Sequence, residues 1–299
     1  MSCKNGRRSR PSGTFFSRAD SSHPNSNTGV VQVLTMKSIK TIKIDQIRFT
    51  VPIKQEYLKA SEEPDVIRAV NRYFKFRLLF DKPIRKLTGK NGYTNSILWG
   101  SSEQGGVISV MYNPNRIDMG VLIDFTSTGK ILYESLCKVN NLDVNWRKII
   151  TAIYQRFGGH TTRIDIAIDL INKGYSVNDI YKQLKSGNYV FINPVNQRIN
   201  FKRIQHIGRS NEVNTIYVGS RYSDSYLRIY DKKLEQMSKK GIFHSLANRC
   251  NNWVRVEGEF KNRECHNIGA MVSSLPTDNM EPYLASYVNK HWRLVFNND

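Results

Sequence analysis

The chain has 299 residues, is 39% hydrophobic, and carries 45 Lys+Arg against 25 Asp+Glu, for a formal charge of +20 and an isoelectric point near 9.8. That length suits one large domain or two small ones, and no apolar run approaches the roughly 18 residues that span a bilayer. So basic a balance favours a polyanion, nucleic acid first. A membrane surface is the lesser reading, because no basic amphipathic helix with a Trp/Leu face is visible.

Residues 1–36 hold Lys4, Arg7, Arg8, Arg10 and Arg18 against one acid, Asp20, in a Ser/Asn/Gly background. They read as a disordered basic tail. Two explanations fit: an arm that tethers DNA, or a stretch upstream of a true start at Met36. No apolar signal core precedes the ordered chain. Cys3, Cys137, Cys250 and Cys265 stand far apart, with no CxxC spacing. The expectation is therefore a protein of the reducing cytoplasm, without a disulfide framework or a cysteine zinc site.

Residues 37–299 read as the folded domain. Residues 41–51, TIKIDQIRFTV, alternate apolar and polar as a half-buried strand does. Strands at 107–112 and 120–126 flank the turn Asn113-Pro114-Asn115-Arg116, a hairpin. Residues 129–139 and 145–157 are expected helices. The second has Trp146, Ile149, Ile150, Ile153, Tyr154 and Phe157 on one stripe, and Gly158-Gly159 ends it. A strand at 161–170 follows. Ser176 then caps a helix to about Leu184, with Asp179 placed for a capping box and Gly187 as the stop. Strands at 214–219 and 225–235 bracket a second hairpin, and 252–261 is a further strand. Helix is expected near 265–274, and 280–296 is amphipathic. The class is α+β, a mainly antiparallel sheet with helices packed on one face and a charged, catalytic face on the other.

Three of these strands share a pattern. Arg163, Asp165, Ala167 and Asp169 point to one side of the first, against Ile164, Ile166, Ile168 and Leu170. Tyr226, Arg228, Tyr230 and Lys232 share a side of the second. Arg255, Glu257, Glu259 and Lys261 share a side of the third. A solvated sheet face is the ordinary explanation for any one of them. Three such strands side by side would gather carboxylates beside a tyrosine.

That set suits metal-assisted phosphoryl transfer. Carboxylates would hold Mg²⁺ or Mn²⁺, hard ions that prefer oxygen ligands. A tyrosine could attack phosphorus and form a covalent intermediate. Arginine or lysine nearby would steady the developing charge and the DNA backbone. The metal candidates are Asp165, Glu257 and Glu259, then Asp169, which could instead serve the strand end. Tyr230, flanked by Arg228 and Lys232, is the preferred nucleophile; its other possible role is stacking on a base. Arg163, Arg221, Arg255 and Lys261 are the candidate DNA contacts. Among the rivals, a paired-histidine nickase needs H-x-H on a strand, and a tyrosine recombinase needs H-x-x-R. The six histidines supply no H-x-H; H-x-x-R spacing does occur, at His160–Arg163 and at His206–Arg209, so that box alone does not exclude a recombinase.

The segments GGHTTRIDIAIDL, IYVGSRYSDSYLRIYDKKLEQ and WVRVEGEFKN, in that order, resemble the replication initiation factor family, often called Rep trans. GVLIDFTSTGKILYESL resembles that family's upstream strand-turn-helix. The resemblance spans about residues 40–265 and not the basic tail. It implies a sheet-based initiator of rolling-circle replication on plasmids or phages. It places the nucleophile in Arg228-Ile229-Tyr230-Asp231-Lys232 and the metal on Asp165, Glu257 and Glu259, with Asp169 less firmly matched. The implied partners are an origin hairpin, single-stranded at the nick, a host helicase, a DNA polymerase and, to close the circle, a second copy of the chain; no membrane is implied. Two alternatives stand beside it: a relaxase of a conjugative element with the same chemistry, and a DNA-binding regulator without activity.

Overall fold

The computed structural model describes residues 38–297, apart from 60, 104, 210 and 211. The expectations for residues 1–36 lie outside the described residues. The N-terminal half runs β1 (Ile39–Val51), α1 (Asp65–Tyr73), α2 (Phe76–Leu79), β2 (Ile84–Lys86), β3 (Asn95–Ser101), β4 (Gly106–Tyr112), β5 (Val121–Phe125), α3 (Ser127–Val139) and α4 (Trp146–Gln155). The C-terminal half follows. It runs β6 (His160–Ile171), α5 (Val177–Lys185), β7 (Tyr189–Ile192), β8 (Ile204–Arg209), β9 (Glu212–Val218), β10 (Ser225–Asp231), α6 (Lys232–Ser238), α7 (His244–Arg249), β11 (Trp253–Lys261), α8 (Asn262–Ser273), α9 (Glu281–His291) and β12 (Arg293–Phe296).

Ten strands form one antiparallel sheet in the order β2-β3-β4-β5-β1-β6-β11-β10-β9-β8, and β12 pairs with β7 apart from it. The α+β class with a mainly antiparallel sheet is therefore what the chain adopts. β1 and β6 pair at the centre, and each half winds outward from its own first strand.

Alternation in β6 and β11 divides the faces. Ile164, Ile166, Ile168, Leu170, Val254, Val256 and Phe260 join one core with Ile149, Ile150 and Ile153 of α4 and Ile268 and Val272 of α8. Full burial of each such side chain is worth about 1.5–3 kcal/mol. Two glycines permit the close fit. A Cβ on Gly269 would collide with Thr161 and Tyr154, so only glycine lets α8 lie this near β6. A Cβ on Gly258 would sit 3.1 Å from the Trp292 ring.

The alternation of β1 is not strict, as the sequence reading took it to be. Ile42 and Ile44 face the core, and so do Ile47, Phe49 and Val51, which a plain period of two forbids. A bulge resolves the conflict. The β1–β6 register passes from Ile44↔Ile166 to Gln46↔Asp165, leaving Asp45 as the extra residue.

The polar face is not bare. Ile171, Trp253, Ala247 and Cys250, with Ile39, Phe243 and Leu246, form a separate apolar cluster. The α6–α7 insertion thereby closes one end of this face. The strand expected at 225–235 ends at Asp231 for the same reason: Asp231 caps α6, its side chain accepting from the Leu234 amide at 2.7 Å.

Candidate active site

The three patterned strands are neighbours, β6-β11-β10. Cross-strand register sets Asp165 opposite Glu259, Asp169 opposite Arg255, Arg228 opposite Glu257 and Tyr226 opposite Glu259. Their side chains open into a cleft of about 620 Å³, whose lining includes Asp45, Arg163, Asp165, Arg221, Tyr230, Lys232, Glu235 and Glu257.

Tyr230 lies on its floor, 6% exposed. Its hydroxyl donates to Glu257 Oε2 at 3.2 Å. The Arg228 guanidinium lies 4.3 Å from its ring centroid and Lys232 Nζ 5.5 Å away. Burial, then the Glu257 carboxylate, pushes the phenol above its ordinary range, while Arg255 and Arg228 oppose the rise. The phenol thus keeps its proton at neutral pH, and Glu257 is the acceptor within reach. Arg228 Nη2 donates to both Glu257 oxygens, at 2.8 and 3.0 Å, and so orients that acceptor.

A second group stands beside this one. Arg163 donates to both Asp165 oxygens, at 2.9 and 2.7 Å, and to Glu259 Oε2 at 2.7 Å. Lys261 Nζ meets Glu259 Oε1 at 3.1 Å. Asp165 is 3% exposed. Burial raises its carboxyl to about 7; Glu257 and Glu259 add to the rise and Arg163 counters it. A buried carboxyl crowded by two further carboxylates invites a cation, and the donors are the hard oxygens that Mg²⁺ or Mn²⁺ prefers. In donor type the residues fit such an ion. As they stand, Arg163 and Arg228 already neutralise these oxygens, and no three His, Cys, Asp or Glu side chains among the described residues are grouped to hold a metal.

Two expected site residues are already paired with each other, although Arg255 also lines the cleft. Asp169 accepts from Arg255 Nε and Nη2 at 2.6 and 2.9 Å and from Trp253 Nε1 at 2.7 Å. Burial would raise its carboxyl, but Arg255 outweighs that and holds it below the ordinary range. Arg255 is 1% exposed and also donates to Asp45 Oδ1 at 3.0 Å. Every charge here is matched inside the protein, so Arg255 is a clamp rather than a free phosphate contact, and Asp169 is its partner.

The sequence reading overlooked Asp45 and Glu235. Glu235 Oε2 takes Lys232 Nζ at 2.5 Å, and burial lowers the lysine's affinity for its proton. The signal for Glu235 was available: Asp231 as a cap places Lys232 and Glu235 on one helical face. Asp45 gave none, because its direction depends on the bulge.

Residues 159–299 match the family described as replication initiation factor. Over 279 residues the chain is 25% identical to the protein named "Putative DNA relaxase NicK" of Bacillus subtilis (strain 168), covering 91% of this chain and 70% of that protein. A solved structure, a rolling circle replication initiator protein from Geobacillus stearothermophilus, overlays 87% of this chain on 88% of its own with a TM-score of 0.61 at 18% identity. That likeness is one of fold. The family match begins one residue before β6, so it covers most of the cleft lining, with Asp45, Gln46, Ser127, Thr128 and Ile131 coming from the half outside it.

Proposed function

We propose, from the match of residues 159–299 to the replication initiation factor family, that this protein nicks and rejoins one strand of DNA to start rolling-circle replication. The observation that carries the reading is Tyr230 hydrogen-bonded to Glu257 on the floor of a cleft edged by arginine and lysine. In the proposed step the Tyr230 oxygen attacks the scissile phosphorus while its proton passes to Glu257. The new bond is Tyr–O–P, and the bond that breaks is P–O3′. The leaving oxygen takes a proton and becomes a 3′-hydroxyl primer, and the 5′-phosphate stays on the tyrosine. A second transfer onto a 3′-hydroxyl reverses the balance and closes the strand.

Arg228 has two parts: it holds Glu257 and sets its positive charge against the tyrosine ring, where phenolate develops. Lys232 supplies a further cation at the same floor. Arg163, Arg221 and Lys261 edge the path of the DNA backbone, where binding weakens with added salt. Asp165, Glu257 and Glu259 would hold Mg²⁺ or Mn²⁺, which when bound would neutralise charge on the phosphate. The proposed partners are an origin hairpin, a host helicase, a DNA polymerase and a second copy of the chain, all in the cytoplasm. No helix among the described residues is long and apolar enough to cross a membrane. The likeness to a protein named as a DNA relaxase favours a second reading, transfer of a mobile element, with the same chemistry at the same tyrosine.

The test is nicking of a supercoiled plasmid carrying the DNA beside this gene, with Mn²⁺ or with EDTA. Wild type should give an open circle with protein covalently attached, in Mn²⁺ alone. Tyr230→Phe should bind the plasmid and lose nicking by about three orders of magnitude or more. Undiminished nicking by Tyr230→Phe would move the nucleophile elsewhere. Tight binding without any nicking would make the protein a DNA-binding regulator.

A further inference from the structure

Tyr230 is one of four tyrosines between residues 217 and 230, and the other three form a feature of their own. Tyr217 on β9 and Tyr226 on β10 stack, with ring centroids 5.7 Å apart and planes inclined by 15°. The Arg221 guanidinium stands 5.9 and 5.8 Å from the two centroids. Beyond it, Tyr222 is 98% exposed at the tip of the β9–β10 turn. From the tip, the series Tyr222, Arg221, Tyr217 with Tyr226, then Arg228 leads to Tyr230. Tyr226, Arg228 and Tyr230 share one face of β10, and four residues of strand separate Tyr226 from Tyr230 by about 13 Å.

The tip is braced. The Ser223 amide donates to the Ser220 carbonyl at 3.0 Å, and the Tyr222 amide donates to Ser220 Oγ at 3.2 Å. Asn262 Nδ2 donates to Asp224 Oδ1 at 2.8 Å, the Lys261 amide donates to the Asp224 carbonyl at 2.8 Å, and Lys261 Nζ donates to the Arg221 carbonyl. Tyr222 is thus an aromatic ring held out in water by a hydrogen-bonded turn, with no core to join.

We infer that the β9–β10 hairpin is a stacking platform for unpaired bases of the strand whose phosphate reaches Tyr230. The inference rests on the nicking reading above and adds the ligand class at this surface. Aromatic rings and a guanidinium plane offer flat faces, and every unpaired base has a flat face to match. Duplex DNA covers the faces of its bases, so a platform of this kind selects single strand. Stacked bases beside the cleft would hold the neighbouring phosphodiester in line with the tyrosine. Sequence preference is not needed, since stacking tolerates any base.

The experiment measures binding of a fluorescein-labelled oligothymidylate, and of a blunt duplex, to the full chain and to Tyr222→Ala, Tyr217→Ala and Tyr222→Phe. Each alanine variant should lose about tenfold in affinity for the single strand and little for the duplex. Tyr222→Phe, which keeps the ring, should bind as wild type does. Oligothymidylate bearing iodouracil should photocrosslink to peptides containing Tyr222 or Tyr217. Unchanged single-strand affinity in both alanine variants overturns the platform, and so does an equal loss on duplex. The two readings fail separately. If wild type nicks through Tyr230 while Tyr222→Ala and Tyr217→Ala bind normally, the platform falls and the nickase stands. If iodouracil crosslinks at Tyr222 but Tyr230 never becomes attached to DNA, the platform stands and the nickase falls.

Discussion

The two halves of the sheet share a plan and differ in content. Outward from the centre, one half reads β1-β5-β4-β3-β2 and the other β6-β11-β10-β9-β8. In each, the first strand is followed by a helix and the strand beside it is followed by another: α1 and α3 in one half, α5 and α8 in the other. The polar face of β5 carries Asp124, and that of β11 carries Glu257 and Glu259. Asp124 is held by Arg48 Nη2 at 2.8 Å and Gln46 Nε2 at 3.2 Å. Next along, the N-terminal half offers Ser109 and Met111 on β4, with Tyr93, Met111 and Leu122 clustered together, where the C-terminal half offers Arg228 and Tyr230. Below the sheet, the N-terminal half gathers Phe74, Phe76, Phe125, Tyr133 and Trp146, with ring centroids 5.1–6.2 Å apart. One plan thus serves as an aromatic anchor on one side and as a chemical surface on the other. The plan alone confers no activity; the side chains on it do.

Exchanging one carboxyl in each half sharpens that contrast most. Glu257→Gln removes the acceptor of the Tyr230 proton and should lower nicking by about 10²–10⁴-fold, the usual worth of a positioned acid or base. Asp124→Asn should leave the chemical step near wild type and appear as a loss of about 1–2 kcal/mol in urea unfolding, because Arg48 keeps only part of its partner. Single-turnover nicking and denaturation, measured on both variants, decide the matter. Equal losses of nicking would mean that both halves take part in the chemistry.

A second substitution asks how the halves are joined. Arg255 lies on β11 and ties Asp169 of β6 to Asp45 of β1. Arg255→Met leaves buried Asp45 without its ion pair and Asp169 with only Lys43 at 3.6 Å and the Trp253 indole, which should cost about 3–5 kcal/mol. The loss should appear as a fall in the urea midpoint that Asp45→Asn partly restores. A midpoint shift of only a few tenths would show the clamp to be dispensable.

The division between what could and could not be read from the residues follows the same line. β6, β10 and β11 were readable because their strict alternation sorts apolar from charged side chains, and that sorting named Asp165, Tyr230, Glu257 and Glu259 as one face. β2, with Ile84–Lys86 all exposed, has no alternation to read. β7 and β12 cover each other away from the main sheet and gave no separate signal. The strand-to-helix change at Asp231 was signalled by a capping residue, yet the aromatic and basic alternation before it seemed to continue. Asp169 and Arg255 looked like a free ligand and a free cation because local pattern gives a side chain's face but not its partner. Cross-strand register supplies the partner, and with it the difference between a clamp and a ligand.

A pH-dependent effect concerns Asp165, whose carboxyl is raised to about 7 in the folded chain, chiefly by burial, against about 4 when unfolded. Between those values the folded state holds a proton that the unfolded state has released. Unfolding therefore releases that proton, and stability declines as pH rises. The contribution is complete below about pH 4 and is gone once pH has risen through about 7. Wild type should lose about 2–3 kcal/mol between roughly pH 5 and pH 8 from this group, read as the urea midpoint at each pH. Asp165→Asn has no proton to lose, so its profile should be flatter, with the variant the more stable of the two at the alkaline end. Arg163 still keeps Glu259 at 2.7 Å, so the substitution strands no charge. Superposed profiles would show that Arg163 already holds Asp165 ionised, which would leave the proton available for transfer on Tyr230 and not on the carboxylate patch.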